Sequence, residues 1–139
     1  KNSNECGYTL IMSTEIIGLS HLEREIIANV VRYNIRDFDY DMMQLETEAG
    51  QDLAGVSDRT AITILIAKLT AILRLANSMD KTHKSKLIDC RMAVREGQLV
   101  ITTGYKGDLA LESASFEQKA AFFEEIFGIR PVLKQKRRV

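Results

Sequence analysis

Tryptophan is absent, proline occurs once, and aromatic residues make up only 6% of the 139 residues. One proline excludes a proline-rich linker or a polyproline ligand segment. Two cysteines exclude a disulfide framework, and Cys6 and Cys90 stand too far apart to show a metal-ligand spacing. They read as two free, buried thiols of a cytoplasmic protein. No uninterrupted apolar run approaches the about 20 residues a membrane span requires, so no membrane partner is expected. No signal-peptide pattern opens the chain. Its first residue is Lys1 rather than Met, which leaves room for upstream sequence. Charge of neither sign is in excess, with a formal net charge of +0, and nucleic acid is not an expected partner.

What is present is ordinary globular composition, 45% hydrophobic and 27% charged. The length suits one domain, or one domain with a subdomain, and such a chain buries a core without staples. The charge is unevenly spread. From Asp37 to Asp58 there are seven acidic residues and no Lys or Arg. From Arg59 to Arg95 there are eight Lys or Arg against Asp80 and Asp89. Arg130, Lys134, Lys136, Arg137 and Arg138 then crowd the C-terminus without an acid. A basic middle can face a polyanion; a solvated surface balanced elsewhere is the plainer reading of the tail.

The periodicity divides the chain at about residue 86. Tyr8 to Ile17 reads as a helix stopped by Gly18. Ser20-His21-Leu22-Glu23 is a capping box that opens a second helix, with Leu22, Ile26, Ile27, Val30 and Val31 on one face, ending near Tyr33 to Arg36. Met42, Met43 and Leu45 suggest a short helix. Ser57 is expected to cap the strongest helix, whose apolar residues from Ala61 to Leu75 cover most of its circumference. A helix of that kind belongs in the middle of a bundle. After Lys86 the period becomes two. Ile88 to Arg95 and Leu99 to Thr103 form a hairpin about Glu96-Gly97. A third strand is expected at Leu109 to Glu112. A second capping box at Ser115-Phe116-Glu117-Gln118 then opens a helix that Gly128 stops, and Pro131 to Lys134 is a last strand. The fold class is therefore α+β: a mostly helical region, 1–86, followed by a small β-β-β-α-β subdomain, 87–139.

Few residue groups have the spacing of a chemical site. Asp37, Asp39, Asp41 and Glu48 echo a calcium loop, but its sixth position holds Met42 where the sharp turn needs glycine, and a solvated acidic loop is the favoured reading. His21 reads as an exposed first-turn residue. His83, at the end of the central helix, suits either an anion or the helix carbonyls. No nucleophile elbow, P-loop or H-E-x-x-H is present, and Gly104-Tyr105-Lys106-Gly107 reads as a hairpin turn rather than a phosphate cradle. The cluster Arg74, Lys81, His83, Lys84 and Lys86 is the best ligand candidate. Flexible cations at a helix end suit a phosphate chain. They also complement the helix dipole with no ligand at all.

The stretch Leu73-Arg74-Leu75-Ala76-Asn77-Ser78-Met79-Asp80-Lys81-Thr82-His83 resembles the signature L-R-L-A-D-G-L-D-R-S-H. That signature belongs to the C-terminal, HD-like domain of the Ppx/GppA phosphatases, the exopolyphosphatases and guanosine pentaphosphate phosphohydrolases. Tyr8-Thr9-Leu10-Ile11 with Gly18-Leu19-Ser20 and Glu23 resembles the helix pair early in that domain. Ile27-Ala28 through Arg32-Tyr33-Asn34 resembles its I-A-x-x-x-R-Y-H segment. Leu111-Glu112, Lys119-Ala120 and Phe122 through Gly128 resemble its small terminal unit. The resemblance implies a parent enzyme whose chemistry lies in an N-terminal pair of actin-like domains, where a glutamate activates water and Mg²⁺ assists. No catalytic residue of that kind is in this chain. The C-terminal domain is implied to extend the polyphosphate path, to position the long anion and to support a homodimer.

The departures from the family pattern are local. The family's H-H-K-H-S run is matched by Ser3-Asn4-Glu5-Cys6-Gly7, the histidine of R-Y-H by Asn34, and the aspartate of L-A-D by Asn77. An amide brings no negative charge to a metal. The expectation is therefore no metal, no cofactor and no HD hydrolase activity in this chain. It is an accessory region that binds or guides polyphosphate or a nucleotide polyphosphate through Arg74, Lys81, His83 and Arg32. The rival expectations are a dimerisation or interdomain scaffold built on the apolar helices and the edge of the β-unit, and a surviving HD metallophosphohydrolase.

Overall fold

In the computed structural model, residues 3–34 and 56–136 are described. The acidic segment up to residue 55, its calcium-like loop and the helix expected about Met42 lie outside them. The described residues form α1 (Ser3–Ser13), α2 (His21–Tyr33), α3 (Val56–Met79), β1 (Cys90–Arg95), β2 (Gln98–Thr103), α4 (Ala110–Phe127) and β3 (Arg130–Gln135). This is a mostly helical α+β fold, with two compact units, Lys1–Thr70 and Ala71–Val139, that divide within α3.

In the first unit α1 packs on α2. A Cβ on Gly7 would lie 2.7 Å from Val31 Cγ1, so this approach requires glycine. Arg32 ties the pair together: its guanidinium sits 3.4 Å from the centre of the Tyr8 ring, and its Nε donates to Glu5 Oε2 at 3.2 Å. The capping box of α2 is complete. Glu23 N–H donates to Ser20 Oγ at 3.1 Å, and Ser20 N–H donates to Glu23 Oε1 at 2.9 Å. The second bond is the main reason the Glu23 carboxyl is held below the ordinary carboxylate range. α1 differs from expectation: it ends at Ser13, ahead of Gly18. The hydroxyls of Ser13 and Thr14 both donate to Leu10 O, at 3.1 and 2.7 Å, and so compete with the backbone for that one carbonyl of the last turn.

α3 departs from the all-round burial its composition suggests. Ile62, Ile66, Ala67, Thr70, Ala71, Leu75 and Ser78 form a buried stripe, while Ile64, Leu65, Leu69 and Ile72 are 38–49% exposed. Composition counts apolar residues around the whole helix, whereas burial follows only the face against which neighbours pack. Thr60–Met79 also corrects the expectation about apolar runs. Its 20 residues, with a mean hydropathy of 1.5 over an 18-residue window, are long and apolar enough to cross a membrane by length and composition alone. Lys68 and Arg74 fall within it. The cap expected at Ser57 rests on side chains outside the described residues.

The second unit holds the sheet, in the order β1-β2-β3. β1 and β2 are antiparallel, with Arg95 opposite Gln98 and Cys90 opposite Thr103. Glu96 and Gly97 join them with φ of 50° and 76°. Two successive left-handed residues are what a two-residue hairpin needs to match strand twist, and glycine adopts that conformation at least cost. β2 and β3 are parallel, so the chain must cross over between them, and α4 is that crossover. Gly97 O accepts from Arg130 N–H and Thr103 O from Lys136 N–H. Residues 97, 99, 101 and 103 thus face β3, and residues 98, 100 and 102 face β1. On β3 it is residues 130, 132 and 134 that face β2. Pro131 therefore sits where a missing N–H leaves no ladder bond unmade.

The expected strand at Leu109 to Glu112 is instead the start of α4. Asp108 Oδ1 accepts the Ala110 N–H at 2.9 Å, and Ser113 N–H donates to Leu109 O at 2.8 Å. Leu109, Glu112, Phe116, Ala120 and Phe123 are all buried, a helical rather than an alternating spacing. The subdomain is thus β-β-α-β. The second capping box is also overturned. Ser115 lies buried in the second turn of a helix that Asp108 has already opened. Gly104 to Gly107 is the β2–α4 connection rather than a hairpin turn. Gln135 Nε2 holds it by donating to Tyr105 O at 2.7 Å and Gly107 O at 2.8 Å. Ala71, Leu75, Ile101, Phe116 and Phe123 form the core of this unit. Neither cysteine is buried as expected: Cys6 is exposed and Cys90 half-buried, and both are free.

Candidate functional site

α3 ends at Met79 and hands the chain to a tight basic turn. Asp80 organises it. Asp80 N–H donates to Asn77 O at 3.2 Å, His83 N–H donates to Asp80 O at 3.0 Å, and Ser85 N–H donates to Asp80 Oδ1 at 3.2 Å. His83 and Ser85 both take left-handed backbone, with φ of 57° and 52°. That conformation is uncommon for residues with a Cβ. One side-chain acceptor and two carbonyls hold the turn in it.

The far side of the turn is anchored by Glu112, which is 1% exposed. Thr82 Oγ1 donates to Glu112 Oε2 at 2.6 Å. Lys86 Nζ lies 3.4 Å from Glu112 Oε1 and donates to Asp108 O at 2.8 Å. The Thr82 hydroxyl holds the Glu112 carboxyl below the ordinary carboxylate range. Burial pushes it the other way, and Lys86 adds to the lowering. The result is a buried, ionised carboxylate that clamps both ends of the turn to α4.

The sequence-predicted cations meet different fates. Lys81, His83 and Lys84 are exposed on the turn. The His83 side chain is 88% exposed, with its Nδ1 3.6 Å from Asp80 Oδ2. Lys86 faces inward, its side chain 13% exposed. Arg74 is 8% exposed, with its guanidinium 4.7 Å from the centre of the Phe122 ring. Arg32 belongs to the first unit and is engaged by Glu5 and Tyr8. The second unit therefore brings Lys81, His83 and Lys84 onto one exposed turn. Arg74 is embedded in the α3–α4 packing of the same unit. His21 is exposed in the first turn of α2, where Arg24 Nη2 meets its Nδ1 at 2.8 Å.

Glu112 was not legible as a site residue while its segment read as a strand. Its signal was its position four residues before Phe116 and eight before Ala120, an acid on the core stripe of a helix. Such an acid requires a buried donor or cation. Among the described residues no group of three His, Cys, Asp or Glu side chains could hold a metal ion. Asn77 is exposed near the end of α3, and Asn34 closes α2. No protein-family model and no curated protein matches the chain.

Proposed function

We propose that this chain is a non-catalytic accessory region of a Ppx/GppA-like phosphatase, and that it binds or guides polyphosphate or a nucleotide polyphosphate. The observation that carries the reading is the basic turn after α3. Lys81, His83 and Lys84 project into solvent from a backbone held by Asp80 and clamped by Glu112. Fixed spacing among flexible cations suits a repeating anion, because each phosphate meets a charge without the turn reorganising. Arg74 and Arg32 enter this reading as supports. Each would have to leave an aromatic ring to reach a ligand, and Arg32 a carboxylate as well. A parent enzyme would supply the Mg²⁺-assisted hydrolysis from its own N-terminal actin-like domains.

The test is a polyphosphate titration of the chain at rising salt. Binding that weakens with salt and falls about tenfold in Lys81→Ala/Lys84→Ala is expected, since each cation lost at such a site removes about 1 kcal/mol or less. Absence of affinity at low salt, or full affinity in the double variant, overturns the reading. The scaffold alternative is favoured by one observation, an outer edge of β1 that no strand pairs among the described residues.

A further inference from the structure

β2 and β3 run parallel, with α4 crossing between them, and both finish beside the start of β1. In α/β units a ligand sits outside the carboxyl ends of parallel strands, where the chain leaves for the crossover. Here that place is a cleft of about 360 Å³. Its walls are Asp89, Cys90 and Arg91 at the start of β1, Thr102 and Thr103 at the end of β2, and Lys136 just after β3.

The strand register produces this cleft. The last paired rung is Cys90–Thr103–Gln135. One step further, Asp89, Gly104 and Lys136 fall side by side, on the sheet face that also carries Arg91 and Thr102. The middle member of that row has no side chain. The row is therefore a notch between an acid and a lysine whose backbones stand about 10 Å apart, two strand spacings. A Cβ on Gly104 would meet nothing within 4 Å, so the notch is open space. Arg91 and Thr102 form the row behind it. Thr103, 1% exposed, lines the cleft from the other face, and its Oγ1 accepts the Tyr105 N–H at 3.1 Å.

The charges select the ligand. Asp89, Arg91 and Lys136 are exposed, and none of them forms an ion pair among the described residues. A chain of phosphates lying here would meet Asp89 as a like charge. A cation would meet Arg91 and Lys136 in the same way. A neutral molecule would leave all three charges unanswered. A molecule with one ammonium and two carboxylates answers each of them, and its single net negative charge matches the single net positive charge of the lining. We infer that this cleft binds an acidic α-amino acid. Its ammonium lies against Asp89, its two carboxylates lie against Arg91 and Lys136, and the Thr102 hydroxyl adds a hydrogen bond. A few placed polar groups of this kind fix the orientation of a small ligand. The inference does not depend on what the basic turn binds, since Lys81, His83 and Lys84 are not in the cleft lining.

Cys90 lines the cleft and Cys6, exposed on α1, does not, so the chain carries its own probe and its own reference. The full chain is alkylated with N-ethylmaleimide, and the two thiols are followed separately by peptide mapping. Millimolar L-glutamate or L-aspartate should slow the alkylation of Cys90 and leave that of Cys6 unchanged. The N-acetyl form of the same amino acid lacks the ammonium, and its side-chain amide lacks the second carboxylate. Each should need about fivefold more for equal protection, the loss of one exposed charge pair. Arg91→Ala and Lys136→Ala should weaken protection by a similar factor. Asp89→Asn should abolish the preference over the N-acetyl form. Gly104→Leu fills the notch from an open position, and should remove the protection while melting is little changed. Lys81→Ala/Lys84→Ala should leave the protection intact. Alkylation of Cys90 that neither amino acid slows at tens of millimolar overturns the inference. So does equal protection by the N-acetyl form or by tripolyphosphate, or protection that survives Gly104→Leu.

Discussion

Glu112 is the residue on which the basic turn depends. A buried carboxylate stripped of its partners, or partners stripped of it, is expensive: breaking such a pair costs about 3–5 kcal/mol. Glu112→Ala is therefore expected to destabilise the chain by about 3 kcal/mol in urea denaturation, and to release Lys86 into solvent. Glu112→Gln keeps the shape and one acceptor, and should cost less. The pH dependence has a fixed sign. The folded carboxyl titrates below its unfolded value of 4.5, so its contribution is fully present above that value. It is lost as pH falls through the lower folded value. Acid titration of stability in the wild type against Glu112→Gln should show the difference shrinking below about pH 4.5. None of this was visible in residue types alone. Lys86 counted as one more cation of a basic run, and only the buried acid opposite it, 26 positions away, turns it inward.

At the scale of the element, Ser20 and Ser115 carry similar local signatures and have opposite fates. Ser20 caps α2 because the chain enters it from a turn that leaves free N–H groups for its hydroxyl and for Glu23. Ser20→Ala should cost about 1 kcal/mol, read as a lower melting temperature, and it should fray the first turn of α2 in amide exchange. Ser115 meets no free N–H, since Asp108 has opened α4 upstream. A four-residue motif reports local capacity, and whether a helix starts there depends on which earlier residue bonds the first N–H. The hairpin was legible for the converse reason. Alternation on both sides and Glu96-Gly97 between them leave one register that buries Ile101 and exposes Arg91. The partial exposure of α3 was not legible, because periodicity shows which residues can be buried and not how many neighbours exist to bury them.

At the scale of the whole molecule, α3 belongs to both compact units, contributing Ile62 and Ile66 to one buried set and Ala71 and Leu75 to the core of the other. Among the described residues Phe116 is the largest fully buried side chain. Phe116→Ala should cost about 3–5 kcal/mol by leaving a cavity where Ala71, Leu75 and Ile101 meet. Amide exchange should show the loss across β2 and α4. The mostly helical α+β class followed from the change of period at about residue 86, yet the compact units divide at Thr70, sixteen positions earlier. Sequence period marks where the backbone changes its hydrogen bonding. Compactness marks where contacts change partners, and a long helix can do that in mid-course.

The inward turn of Lys86 has a consequence for the ions around the molecule. A bound polyanion sheds counterions in proportion to the protein cations that replace them. The segment from Lys81 to Lys86 holds three lysines and a histidine, but Lys86 already neutralises Glu112. Only Lys81 and Lys84 remain in it as permanent charges able to displace counterions. The logarithm of affinity should then fall with the logarithm of salt concentration at a slope of about two, rather than the steeper value a count of basic residues would suggest.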